Sequence, residues 1–106
     1  MTEIELAKYL AELGNVTRLR IYIFLIKVGR DGVPVGTIQE HLQIPGSTLS
    51  HHLTKLVNVN LISQKRDGRV LNCIANFEIF QSVLDELQQS CCVGIAGIPV
   101  QQRCSV

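Results

Sequence analysis

The sequence predicts a mainly α-helical domain with one small β-hairpin, in the order α-α-α-α-β-β-α. Apolar residues recur every three or four positions in several segments, which is the spacing of an amphipathic helix. An Asp-Gly pair lies between two runs rich in β-branched residues, which is the pattern of a hairpin. Of the 106 residues, 46% are hydrophobic and 18% are charged, and this balance excludes an intrinsically disordered protein.

The first two helices are predicted over residues 3–13 and roughly 16–29. The first carries one apolar stripe, which consists of Leu6, Leu10 and Leu13. A Gly-Asn pair interrupts the pattern, and we expect Asn15 to cap the second helix. Because the second helix is apolar on nearly every side, it is predicted to lie at the centre of the fold.

Two further helices are separated by a turn at Pro45-Gly46. A short extended piece at residues 33–35 precedes the first of them, which is predicted from about residue 36 to 42. The second is predicted from residue 47 to 57. Its inward face consists of Leu49, Leu53 and Leu56.

Asp67-Gly68 joins the two β-rich runs, which cover residues 61–66 and 70–74. A last amphipathic helix is predicted over residues 77–89, whereas the glycines and proline after residue 93 exclude a regular helix there. We therefore divide the chain into a domain of residues 1–90 and a cysteine-containing tail of residues 91–106.

The charge is unevenly distributed along the chain. Residues 41–76 contain four basic residues and one acidic residue, a net charge of +3, whereas the remainder has six basic and eight acidic residues, a net charge of −2. A local basic segment favours nucleic-acid binding, although four basic residues in this length are also compatible with ordinary solvated surface.

Two short helices with a Pro-Gly turn, followed by a basic hairpin, form a winged helix-turn-helix pattern. At helical spacing, the second of these helices turns polar side chains outward, where they suit base edges and phosphates. These candidate DNA-binding residues are Ser47, Thr48, Ser50, His51, Thr54 and Lys55. On the hairpin, the candidates for backbone contact are Lys65, Arg66 and Arg69. Taken alone, each of these residues is more typical of a solvated face, so the prediction rests on the ordered set of Pro-Gly turn, polar helix and basic hairpin. His52 is interpreted as a packing histidine.

Three segments of the chain carry a resemblance to a known family. They are Gly14-Asn15-Val16-Thr17-Arg18-Leu19-Arg20-Ile21, Ser47-Thr48-Leu49-Ser50-His51-His52-Leu53 and Arg66-Asp67-Gly68-Arg69-Val70. Together they resemble the signatures of ArsR/SmtB-type repressors. The resemblance covers about residues 6 to 92 and implies a dimeric winged-helix repressor whose first and last helices form the dimer contact. It departs from the family at Pro45, where a capping Ser is common, so Ser47 or Gly46 would have to act as the cap.

The apolar residues of the first and last predicted helices exceed what one small core needs, which independently favours a homodimer. Two recognition helices related by a two-fold axis would read a palindromic operator in double-stranded DNA. In the family that the chain resembles, an inducer ion or thiol chemistry lowers operator affinity.

Two of the family's inducer sites lack their ligands here. Residues 37–41 contain no cysteine where some arsenic sensors have a Cys-x-Cys pair, and residues 76–89 contain no histidine where zinc sensors have their ligands. Cys91-Cys92 resembles the adjacent pair of another arsenic-responsive branch, in which a third tail cysteine completes the site; here that residue would be Cys104. Thiolates select soft ions, so the predicted inducer is trivalent arsenic, as arsenite or methylarsenite, and no cofactor is expected in the DNA-bound form. Val93 departs from the Cys-Cys-Gly-Gly tail of that branch.

Other functions remain open at this point. The same fold could serve a thiol-based redox or persulfide sensor, or a DNA-binding regulator that senses nothing. A thiol enzyme is not expected, because a Cys-x-x-Cys motif in a βαβ setting is absent from the sequence. Cys73 is interpreted as a small strand residue. An acidic N-terminus and the lack of a long apolar run predict a cytoplasmic protein without a membrane segment.

Overall fold

The computed structural model describes residues 1–99 and contains five helices and three strands within them. The element order is helix–helix–strand–helix–helix–strand–strand–helix. Their bounds are α1 Glu3–Leu13, α2 Val16–Val28, β1 Val33–Pro34, α3 Val35–Leu42, α4 Gly46–Asn58, β2 Ile62–Asp67, β3 Val70–Ala75 and α5 Phe77–Gln89. The predicted fold class, a mainly α domain with a small hairpin, is confirmed.

Side-chain caps fix the starts of α1 and α2. The hydroxyl of Thr2 accepts from the backbone N–H of Glu5 at 3.1 Å. The predicted cap at Asn15 is confirmed: its Oδ1 accepts from the backbone N–H groups of Thr17 and Arg18 at 2.9 and 3.0 Å. These bonds satisfy N–H groups that have no partner within the helix.

Helix α2 lies at the centre of the fold, as predicted, and contacts α1, α3, α4 and β3. Ile21 and Leu25 on its inner side are fully buried. Its apolar residues are not all in the core, however, because Leu19 and Ile23 are 39% and 43% exposed. One side of α2 therefore belongs to an exposed apolar surface.

The sheet has three antiparallel strands in the order β1-β3-β2, so the predicted hairpin gains a short third strand. The extended piece at residue 33 forms that strand, with Val33 opposite Cys73. The prediction that Asp67-Gly68 forms the turn is wrong by one residue. Asp67 pairs with Val70, and Gly68-Arg69 is the two-residue turn. Gly68 occupies its first position with φ +62°, which glycine adopts without a steric penalty.

Helices α3 and α4 form the helix-turn-helix. Gln43, in the left-handed region at φ 54°, ends α3, and the chain turns through Ile44 into α4. The expectation that Ser47 or Gly46 caps α4 is wrong, because Gly46 is already helical and Pro45 occupies the cap position without a side-chain hydrogen bond. The φ of Pro45, −55°, is compatible with that position because its ring fixes φ near this value.

Helix α5 has the predicted bounds and is capped by Asn76, whose Oδ1 accepts from the backbone N–H of Ile79. Its Phe80 ring packs near the buried Tyr22 ring, with 6.1 Å between centroids. After α5, residues 90–99 form turns and one isolated bridge, so the prediction of a non-helical tail is confirmed as far as the described residues extend. None of the helices among residues 1–99 is long and apolar enough to cross a membrane.

Candidate functional site

Helix α4 has a buried apolar side and an exposed polar side. Its three inward leucines are confirmed as core residues, at 0–2% exposure. On the opposite side, Ser47, Thr48, Ser50, His51 and Thr54 are exposed, and Lys55 is half-buried. This side has the short polar side chains that fit a DNA groove.

The N-terminus of α4 adds a feature that the sequence analysis did not identify. No side chain caps it, and its first turn contains no acidic residue. The first N–H groups of a helix lack intrahelical partners and carry the positive end of the helix dipole. An uncapped N-terminus on the polar face therefore suits an anion such as a DNA phosphate. Helix α3 is uncapped in the same way, with Pro34 at its cap position.

A cleft of about 500 Å³ separates α4 from the β2–β3 hairpin, which we call the wing. Four of the nine candidate DNA-binding residues line it: Ser50, Thr54, Arg66 and Arg69. Gln64, the first residues of α3, and Leu53, Val70 and Leu71 also line it. The fold thus places the hydroxyls of the helix and the guanidinium groups of the wing around one opening.

Lys65 does not belong to this group. Because side chains alternate between the two faces of a strand, Lys65 lies on the opposite face of the wing from Gln64. There it lines a second cleft of about 480 Å³ with Asn72. Gln64 was missed as a candidate, although its spacing of two residues from Arg66 is a signal that both share a face.

The hydroxyl of Thr54 is partly committed within the helix. Its Oγ1 donates to the backbone carbonyl of Ser50 at 2.9 Å. It can therefore still accept a hydrogen bond in the cleft, but the proton is used. Ser50 and His51 are then the better placed candidates for reading bases, since both are exposed one turn into the helix.

His52 is half-buried, which agrees with a packing role, but it also makes a specific polar contact. Its Nδ1 lies 3.2 Å from a terminal nitrogen of the Arg18 guanidinium. Burial lowers the pKa of His52, and the nearby cations Arg18, His51 and Lys55 lower it further. His52 is therefore a neutral side chain at neutral pH.

Of the cysteines, Cys73 is fully buried in β3, in agreement with its interpretation as a strand residue. Burial raises the pKa of its thiol, only partly offset by a hydrogen bond from Gln64 Nε2 at 3.5 Å. A thiol that stays protonated and is inaccessible is a poor ligand and a poor nucleophile.

Cys91 and Cys92 directly follow α5, at the place predicted for the sensor pair. Cys91 is an exposed free thiol, and its Sγ lies 3.9 Å from the Sγ of Cys92. Cys92 is disulfide-bonded, so the pair provides two thiolates only after reduction. Cys104 lies outside the described residues.

Side chains of residues 1–99 form no cluster of three or more His, Cys, Asp or Glu that could hold a metal ion. Asp85 and Glu86 are half-buried on α5, where no histidine accompanies them. A three-thiolate site therefore depends on a residue beyond this part of the chain.

A mainly helical domain with a winged helix-turn-helix and a polar, partly basic reading face defines a DNA-binding regulator. Comparisons agree with this class. A model described as a helix-turn-helix domain matches residues 13–64. A comparison with curated proteins finds no significant match.

Several solved structures share the fold. The NolR protein of Sinorhizobium fredii is 30% identical, covering 82% of this chain and 85% of that chain with a TM-score of 0.65. An ArsR-like transcriptional regulator of Rhodococcus sp. RHA1 is 23% identical, covering 81% and 78% with a TM-score of 0.70. The homodimeric winged helix-turn-helix domain of Mb0332 from Mycobacterium bovis, a possible ArsR-family regulator, is 24% identical, covering 80% and 82% with a TM-score of 0.61.

The chain has the winged helix-turn-helix fold of ArsR-family transcriptional regulators. The fold implied by the resemblance in the sequence is thus confirmed. The helix-turn-helix domain and this fold indicate a DNA-binding regulator, and the inducer has to be inferred from this chain's own residues.

Proposed function

We propose that the chain is a dimeric repressor that inserts α4 into the major groove of a palindromic operator and places the wing on the adjacent sugar-phosphate backbone. The observation that carries the proposal is the cleft between α4 and the wing, where Ser50 and Thr54 face Arg66 and Arg69. Hydroxyls can read base edges or phosphates, and guanidinium groups bind phosphates strongly.

The second copy would cover the exposed apolar surface formed by α1, α2 and α5. We call this surface the apolar face, and it consists of Leu10, Leu19, Ile23, Leu84 and Leu87, which are 39–50% exposed. A groove of about 190 Å³ with apolar walls runs along it. A continuous apolar patch of this kind favours a protein partner, and the similar Mb0332 domain is a homodimer. Closing the face with a second copy would give two recognition helices related by two-fold symmetry.

Trivalent arsenic is the inducer that best fits the cysteine residues. Cys91 and Cys92 would provide two thiolates, and Cys104 is the candidate for the third. The support is the distance of 3.9 Å between the Cys91 and Cys92 sulfur atoms, since two adjacent soft donors suit a thiophilic ion. The buried thiol of Cys73 would take no part.

The position of Cys91 and Cys92 suggests how arsenic binding would change the affinity for DNA. Cys91 follows α5 by two residues, and α5 contributes Leu84 and Leu87 to the apolar face. An ion that fixes the chain at this point would bias how two copies pack, and therefore the separation of their recognition helices. Such coupling between two sites is about 1–3 kcal/mol, or about 5–150-fold in operator affinity.

A second candidate function is thiol-based redox or persulfide sensing. The observation that favours it is an exposed free thiol, Cys91, located 3.9 Å from the sulfur of the disulfide-bonded Cys92. In thiol–disulfide exchange a thiolate attacks one sulfur of a disulfide, the original S–S bond breaks, and its other sulfur leaves as a thiolate. The Cys91 thiolate is placed to exchange in this way at the sulfur of Cys92.

Release of DNA separates the candidates. A duplex selected in vitro for tight binding is titrated with fully reduced protein, and arsenite, methylarsenite, Zn²⁺, diamide and polysulfide are then added in separate samples. Release by the arsenicals alone supports the metalloid sensor. Release by diamide or polysulfide alone supports the thiol sensor and contradicts the arsenic assignment. Release by none of them would indicate a regulator that does not sense these agents.

A further inference from the structure

The side chain of Arg18, at the start of α2, connects the end of α1 with α4. Its Nε donates to the backbone carbonyl of Glu12 at 2.7 Å and lies 3.5 Å from the Glu12 carboxylate. Its Nη1 lies 3.2 Å from Nδ1 of His52 in the recognition helix. The Arg18 side chain is only 12% exposed, so these contacts are held in a mostly desolvated position.

The chemistry of the two side chains fixes the direction of the contact with His52. A guanidinium has only donors, so Nδ1 of His52 must accept, and its proton must be on Nε2. Protonation would turn both ring nitrogens into donors and place an imidazolium against a guanidinium. The hydrogen bond between Arg18 and His52 therefore exists only while His52 is neutral.

The charged groups around His52 also favour its neutral form. Arg18 faces it from α2, and His51 and Lys55 face it from α4 itself. The carboxylate of Glu12 is paired with the Arg18 guanidinium. Burial and the three cationic neighbours lower the pKa of His52, so the contact is intact at neutral pH and is lost at acid pH.

We propose that Arg18 is a positioning residue for sequence recognition, because it connects the recognition helix α4 to the end of α1. This connection, which we call the tie, consists of the Arg18 contacts with Glu12 and with neutral His52. Protonation of His52 breaks the tie. The inference rests on the proposed role of α4 in reading DNA. Helix α1 contributes Leu10 to the apolar face, so the tie would set the angle of α4 relative to the second copy. A helix held at one angle discriminates between sequences better than one that can rock in the groove.

The proposal is tested by the preference of the protein for one DNA sequence over another, and not by its affinity for DNA alone. An additional positive charge on α4 strengthens phosphate binding to every duplex and would mask a loss of specific contacts. The ratio of the dissociation constants for a shuffled duplex and an in-vitro selected duplex of equal length removes most of this common contribution. It is measured at constant ionic strength from about pH 8 to about pH 5, which spans the ordinary imidazole range.

The wild-type ratio is expected to fall by about five-fold or more on acidification. His52→Gln should have a ratio that does not change with pH, because its amide oxygen can accept from Arg18 and does not titrate. The chain has three histidines, and His41→Gln, which lies outside the candidate DNA-binding residues, is the matched control that should retain the fall with pH. A His52→Gln ratio that falls as steeply as the wild-type ratio would overturn the proposal.

Arg18→Lys tests the other end of the tie. Lysine keeps the charge but lacks the planar fork that spans Glu12 and His52, so the ratio should be low and independent of pH. Thermal unfolding identifies a variant that fails to fold, in which case His52→Gln decides alone. Wild-type protein that shows no preference for the selected duplex at pH 8 would contradict the proposed function. A preference that is insensitive to pH would contradict only the tie.

Discussion

Gly32 packs against the backbone of Cys73 so closely that no side chain fits between them. A Cβ at residue 32 would lie 2.5 Å from the carbonyl oxygen of Cys73 and 2.5 Å from Cγ1 of Ile74. Gly32 also has φ +70°, in the left-handed region. This approach brings the loop after α2 onto β3, next to the pairing of Val33 with Cys73.

Gly32→Ala should therefore destabilise the protein by about 2 kcal/mol or more, from the positive φ and the contact with backbone atoms together. Urea unfolding measures the loss. Gly36→Ala is the matched control, because a Cβ there meets nothing within 4 Å, and alanine favours the helix by up to about 1 kcal/mol. Equal effects of the two substitutions would contradict the close approach.

Tyr22 is 2% exposed, and among residues 1–99 its hydroxyl has no hydrogen-bond partner. Burial raises its pKa to about 12, from an ordinary value of 10.0. A raised pKa in the folded state stabilises the protein fully below the unfolded pKa, and this contribution is lost as pH rises from 10 towards 12. Tyr22→Phe removes both the unpaired hydroxyl and this pH dependence.

The expected result for Tyr22→Phe is a free energy of unfolding within about 1 kcal/mol of the wild-type value at neutral pH. Above pH 10 the variant should become more stable than the wild type, by up to about 2–3 kcal/mol. The chain has two tyrosines, and Tyr9→Phe should keep the alkaline loss that is due to Tyr22. If the free energies of unfolding of the wild type and of Tyr22→Phe fell equally between pH 10 and pH 12, the alkaline loss could not be due to Tyr22.

Leu84→Glu should convert the proposed dimer to a monomer. Leu84 is 43% exposed on the apolar face, and a glutamate there would have to lose its water on association. The dimer dissociation constant, from sedimentation over a range of concentrations, should rise by about 100-fold or more. Val16→Glu is the control, since Val16 is 74% exposed at the start of α2 and outside the groove of the apolar face. A wild-type protein that is monomeric at micromolar concentration would contradict the dimer.

Recognition helix and wing should contribute differently to DNA binding. Ser50→Ala and His51→Ala should reduce the preference for the selected duplex, by about 1–3 kcal/mol where a base contact is lost. Arg69→Ala and Lys65→Ala should weaken binding to all duplexes and lower the salt slope by about one for each lost phosphate contact. The measurement is fluorescence anisotropy over a series of salt concentrations. A changed preference in the wing variants with none in the helix variants would reverse the assignment.

The positions of the helices could be predicted because apolar spacing and breaker residues are local signals. The buried side of α4 follows from Leu49, Leu53 and Leu56 alone, and the bounds of α5 follow in the same way. The exposure of Leu19 and Ile23 could not be predicted, because apolar periodicity does not distinguish residues of the core from residues that a second copy would cover in the proposed dimer.

Other features depend on contacts between distant residues. Strand β1 has only two residues, and its pairing with β3 has no pattern of its own in the sequence. The contact of Arg18 with His52 joins residues 34 positions apart, so it required the fold. In the wing, the shift of the turn to Gly68-Arg69 reflects register, which is fixed by the whole strand pair and not by the Asp-Gly signal.

Arsenite sensing through Cys91 and Cys92 is tested by measuring release of the selected duplex by arsenite, both from reduced wild-type protein and from the double variant Cys91→Ser/Cys92→Ser. Both proteins should bind the duplex equally well, arsenite should weaken wild-type binding by about 5–150-fold, and the double variant should not respond. Cys73→Ser, with its thiol buried in β3, should respond like the wild type. Release of the duplex from the double variant at the arsenite concentration that acts on the wild type would show that these two cysteines are not the inducer site.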